Sequence, residues 1–195
     1  MDFIITSLGF FLGNYINYAP VYLTQKIIPN IFISLTANAF SRMATLPILL
    51  YLNKSASRRD GLRLMSVFAL IFLLLQYIVD PSGCLTCLSA TNSTLLLVFY
   101  FCSRFFINMN TNFYLIVIAE PFPAQIRSIC ICGLVGFGKI SGLLIPVTPA
   151  FLNLVSVPYN IFFVFIQILL IINYTCLRET LNVPPAEMIE ELKED

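Results

Sequence analysis

The sequence contains no histidine, and charged residues fill only 11% of its 195 positions. The first absence removes the commonest metal ligand and the side chain that titrates nearest neutral pH. The second removes the solvated surface of a globular domain, which is about one-quarter charged and about half apolar; this chain is 58% hydrophobic. The charges present nearly cancel, to +1, so no net field points to nucleic acid or to an acidic partner. Also missing are a nucleophile beside a base, a phosphate-cradling glycine loop and a cluster of metal-ligating side chains, so neither enzyme activity nor a metal or cofactor is expected. Of the six cysteines, Cys102, Cys130, Cys132 and Cys176 lie in apolar runs and act as small hydrophobes. Cys84 and Cys87 form a C-x-x-C pair in a polar stretch, and without a second ligand pair they read as thiols or a local disulfide.

What is present is a series of long apolar runs. A helix needs about 20 apolar residues to cross a hydrocarbon layer, and six runs approach that length, at 3–23, 31–52, 62–79, 95–119, 128–151 and 159–177. The expectation is an all-α membrane protein with a six-span bundle over residues 1–177 and a tail over 178–195. The first run has no basic region before it and no small-residue cleavage site after it, so it reads as a retained span rather than a signal peptide. The break at 53–61 carries Lys54, Arg58 and Arg59, with Arg63 just beyond, whereas 80–93 has no Lys or Arg. Basic loops stay in the cytoplasm, which places both termini there, with Arg127 and the tail on the same side. Gly9 with Gly13 and Gly138 with Gly142 have the spacing that lets helices approach closely. Pro20, Pro47, Pro146 and Pro149 are positioned to kink or break helices. Asn92-Ser93-Thr94 is a glycosylation pattern close to the start of the fourth run.

Three cations interrupt the apolar runs, Arg42, Arg104 and Lys139, and no acidic residue lies within any run to neutralise them. A charge near the bilayer centre costs about 2.5–3.5 kcal/mol on insertion scales, so such groups face a bundle interior or a wet cavity. Lys139 is the deepest in its run and is the first candidate for holding an anion. Arg42 sits near the middle of its run and either lines the same cavity or pairs with an acid from another chain. Arg104 either faces inward or snorkels to headgroups. Asn108 and Asn112 share a helix face at i and i+4 and either join helices or line a polar path. Asn14, Tyr15, Asn17 and Tyr18 read as an interfacial aromatic belt. A positive interior without negative groups favours organic anions over cations.

Glu120-Pro121-Phe122-Pro123-Ala124-Gln125-Ile126-Arg127 resembles the Glu-Leu-Tyr-Pro-Thr-x-x-Arg signature of organic cation/anion transporters of the major facilitator superfamily. Glu179-Thr180-Leu181-Asn182 is similar to the Pro-Glu-Thr-Leu stretch that follows their twelfth helix, with Arg178 in place of the proline. Ser57-Arg58-Arg59 resembles their Gly-Arg-Arg turn, and Thr6-Ser7 with Phe10-Phe11 resembles Thr-Ser-x-x-Tyr-Tyr without the hydroxyls. The resemblance runs in order along the whole chain and implies the C-terminal half of such a carrier, two inverted three-helix repeats. It implies that Lys139 occupies the substrate-selecting position, basic in anion carriers, and that Arg104 and Asn112 match family polar positions. On this resemblance Phe10, Phe11, Arg42 and Asn108 join the substrate site, and Arg58, Arg59, Glu120 and Arg127 belong to cytoplasmic gating motifs. The implied partners are a small organic ion, the lipid bilayer, and either an N-terminal half or a second copy of the chain. The alternatives in function are a cation or zwitterion carrier of the same family and a membrane interaction protein that transports nothing.

Overall fold

The computed structural model describes residues 2–23, 31–55, 57–79, 90–119, 122, 124–155 and 157–177. Among these there are seven helices and no strand: α1 (Asp2–Leu23), α2 (Ile31–Ser55), α3 (Arg58–Val79), α4 (Ala90–Val117), α5 (Ala124–Leu144), α6 (Thr148–Val155) and α7 (Tyr159–Thr175). The C-x-x-C pair, Glu120 and the tail from Arg178 lie outside the described residues.

The helices follow the expected apolar runs, with differences that have local causes. The basic break narrows, because α2 continues to Ser55 and α3 starts at Arg58. Asp60 lies in the first turn of α3, where a negative charge complements the helix dipole, and it pairs with Arg63 at 3.2 Å. The glycosylation pattern falls inside the first turns of α4. The fifth run divides into α5 and α6 around Pro146. Pro146 and Pro149 lack the N–H groups that would continue the ladder, and shorter bonds take over, from Val147 N to Leu144 O (3.2 Å) and from Thr148 N to Ile145 O (3.3 Å). Thr148 Oγ1 also donates to Leu144 O at 2.8 Å.

α4 is central, packing against α1, α2 and α3, while α7 closes on α1 and α3, and α5 rests on α1. The described residues combine an apolar core with buried polar groups and a largely apolar exterior. Ser66, Ser103, Arg104, Asn108, Asn110 and Gln167 are buried, whereas Ile4, Phe40, Met43, Leu143 and Leu154 are more than 70% exposed. Apolar surface on this scale is compatible with a membrane protein. Among the described residues two helices, α3 and α5 from Gln125, are long and apolar enough to cross a membrane, or three if the bent α6–α7 pair is one span. The expectation was six. α1, α2 and α4 have the length, at 22, 25 and 28 residues, and they carry the buried Asn14, Asn17, Ser41, Arg104 and Asn108.

Buried side chains join the helices. Asn110 Nδ2 donates to Ser66 Oγ (2.7 Å), Gln167 Nε2 to Ser66 O (3.1 Å), Gln76 Nε2 to Ser103 Oγ (3.2 Å) and Asn173 Nδ2 to Ile5 O (3.0 Å). Such bonds between helices in apolar surroundings contribute about 0.6 kcal/mol on average, so several are needed. Between α3 and α4, Phe106 stacks on Phe68 and Phe72 with ring centroids 5.2 and 5.7 Å apart.

Each glycine pair contains one true close approach. A Cβ on Gly138 would overlap the Phe10 ring and Asn14 of α1, and a Cβ on Gly9 would overlap Asn173 and Tyr114. Gly142, by contrast, has nothing within 4 Å. Gly138→Ala is therefore expected to lower thermal stability in detergent micelles by about 1–3 kcal/mol, the usual cost of overpacking. Gly142→Ala should be neutral or slightly stabilising, because alanine is the better helix former. Equal melting of the two variants, followed by circular dichroism, would refute the tight α1–α5 contact.

Candidate functional site

Helical periodicity brings the polar residues of four helices to one cavity of about 170 Å³. On α1, Phe10, Asn14, Asn17 and Tyr18 stand at i, i+4, i+7 and i+8, a single helix face. Asn108, Thr111 and Asn112 stand at i, i+3 and i+4 on one face of α4, Val135 and Lys139 supply the α5 wall, and α2 contributes Arg42. The volume is below the ~300–1,000 Å³ of typical ligand pockets. It accommodates a small ligand or the charged end of a larger one.

Two cations converge on one ring. Lys139 Nζ donates to Tyr18 Oη at 3.1 Å and lies 4.9 Å from the Tyr18 ring centroid. The Arg42 guanidinium carbon lies 5.7 Å from the same centroid. Among the described residues the carboxylates are Asp2, at the start of α1, and Asp60, which is paired with Arg63. A cation–π contact contributes about 0.5–2 kcal/mol, and both cations are exposed side chains at the cavity.

Arg104 lies behind this wall and does not line the cavity. It is 1% exposed, so it does not snorkel. Its Nη2 donates to Asn17 Oδ1 (3.1 Å) and Asn38 Oδ1 (3.2 Å), and its Nη1 lies 3.4 Å from Ile16 O. Asn108 Nδ2 extends the network to Ser41 Oγ (2.6 Å) and Asn38 Oδ1 (3.3 Å). The guanidinium thus fastens α4 to α1 and α2 through neutral acceptors. Asn112 Nδ2 reaches Thr45 Oγ1 at 3.4 Å, a further α4–α2 bond.

Of the residues expected at a binding site, Lys139, Arg42, Asn108, Asn112 and Phe10 share the cavity. Phe11 instead packs on Phe137 of α5, with ring centroids 5.7 Å apart. Arg58 and Arg59 sit half-buried at the start of α3, and Arg127 Nε donates to Phe122 O (3.1 Å), securing the turn before α5. The α1 residues read as an interfacial belt occupy other positions. Asn14 and Asn17 are buried in the cavity wall, Tyr18 lies between the cations, and Tyr15 is buried with its hydroxyl bonded to Thr148 Oγ1. The signal that could have found them was the i, i+4, i+7, i+8 spacing of Phe10, Asn14, Asn17 and Tyr18, one face of a helix.

No family model matches the sequence, and no curated protein matches it.

Arg104→Lys should destabilise the fold, because an ammonium cannot reproduce the forked contacts to Asn17 and Asn38. Hydrogen bonds to charged groups contribute about 1.5–3 kcal/mol each, so a loss of about 2 kcal/mol is expected, measured by thermal unfolding in detergent micelles. An unchanged melting temperature would remove Arg104 as the fastener of α1, α2 and α4.

Proposed function

We propose that this chain is the C-terminal six-span half of a major-facilitator carrier that moves small organic anions by alternating access. The observation that supports this best is the cavity itself, where Arg42 and Lys139 converge on Tyr18 with no carboxylate among the described cavity walls. In apolar surroundings the natural counter-charge is an anion that enters and leaves. The lining adds the Phe10 ring and Leu115 for an apolar body, and Asn108, Thr111 and Asn112 for its polar atoms.

On this reading α1, α2, α3, α4, α5 and α7 are the spans. α1, α2 and α4 have the length of spans and carry most of the cavity lining. The resemblance of the 120–127 and 179–182 segments to organic cation/anion transporters supports the same assignment, with two inverted three-helix repeats and substrate near the midplane. The Arg58-Arg59 turn and Arg127 would then lie on the cytoplasmic side of a plasma-membrane protein. An N-terminal half or a second copy of this chain would supply the other wall.

Two labelled probes test this, benzoate and tetraethylammonium, offered to liposomes that contain the purified chain. Specific benzoate binding, with or without saturable uptake, is expected over tetraethylammonium. Uptake by the chain alone would mean that a second copy completes the path, and binding without uptake would mean that a separate half does. Lys139→Ala and Arg42→Ala should each weaken benzoate binding at least about tenfold, the scale of a lost charged hydrogen bond, without reducing the amount of folded protein. Preference for tetraethylammonium would overturn the anion reading, and binding of neither would favour a membrane interaction protein.

A further inference from the structure

Four asparagines line the cavity, and their amides are not used alike. Asn14 Nδ2 donates to Phe10 O (3.0 Å), Asn108 Nδ2 to Ser41 and Asn38, and Asn112 Nδ2 to Thr45. Asn17 differs. Its Oδ1 accepts from Arg104 Nη2 at 3.1 Å, and because a guanidinium only donates, this contact settles which end of the amide faces Arg104. The Nδ2 group is therefore turned away from Arg104, and it has no hydrogen-bond partner among the described residues. Asn17 itself is 6% exposed and lines the cavity. An amide donor left over on a cavity-lining residue is available to an oxyanion, and the charge of Arg104 on its oxygen strengthens its N–H groups as donors.

We infer that Asn17, held in orientation by the buried Arg104, is an anion-binding residue that donates its amide N–H to the carboxylate of an organic anion beside Arg42 and Lys139. This rests on the reading of the cavity as an anion site. Arg104 is then a positioning residue that never touches the ligand, which explains why a third cation lies behind the wall rather than in it.

The test is equilibrium binding of radiolabelled benzoate to the purified full-length chain in detergent micelles, comparing wild type with Asn17→Asp and Asn17→Ala. The aspartate keeps the shape and gains a charge pair with Arg104, so its melting temperature should equal or exceed that of wild type. It replaces the inward donor with an anionic oxygen, and benzoate affinity should fall at least tenfold. The new carboxylate also repels an anion whatever Asn17 does, so the fall must appear in Asn17→Ala too, which removes the donor without adding charge; an Asn17→Ala that binds benzoate as wild type does overturns the inference and leaves the anion reading standing. If wild type binds no benzoate, the anion reading itself falls and the inference with it. Should Asn17→Asp fail to fold, Asn17→Ala decides: weaker binding at an unchanged Arg42 and Lys139 supports the donor, and unchanged affinity refutes it.

Discussion

A guanidinium with no carboxylate beside it, buried between helices, governs much of this architecture. Arg104 cannot shed its proton cheaply and cannot reach water from a position only 1% exposed. Its terminal N–H groups are met by oxygens of neighbouring helices, those of Ile16, Asn17 and Asn38, while its Nε has no partner among the described residues. These contacts draw α1 and α2 onto α4. Asn38 accepts from both Arg104 and Asn108, so the α2 contact is shared between two residues one turn apart on α4.

The same constraint orders the rest of the bundle. With large apolar side chains outward as well as in the core, burial of hydrocarbon alone does not select which helix faces meet. Shape and hydrogen bonds select them instead. Gly138 admits the Phe10 ring, Gly9 admits Tyr114 and Asn173, and Ser66 accepts from both α4 and α7. Serine and threonine hydroxyls that lack a partner on another helix bond back to their own helix, as Thr111 does to Ile107 O and Ser141 to Gly138 O.

Electrostatics and packing meet at Tyr18. Its hydroxyl accepts from Lys139 and its ring lies near Arg42, so one side chain of α1 links the charges of α2 and α5 across the cavity. Charges held in this way are ordered without being neutralised. The small volume of the cavity restricts what it can enclose.

The helices were legible in the sequence because apolar runs bounded by polar breaks fix length and position, and six of the seven helices follow those runs. The split of the fifth run was only hinted at by Pro146 and Pro149, since a proline near a helix end can either kink or terminate it. Candidate residues Lys139, Arg42, Asn108, Asn112 and Phe10 were legible because charge and amides inside apolar runs have few acceptable placements. Phe11 was not separable from Phe10 in sequence, yet the two lie 100° apart around a helix, so one enters the cavity and the other packs on Phe137. Composition and periodicity thus determined that this protein is helical and that its apolar runs enclose cations. Which cation meets the cavity and which lies behind it was decided by tertiary structure alone, because only packing distinguishes a guanidinium surrounded by carbonyl oxygens from one beside open space.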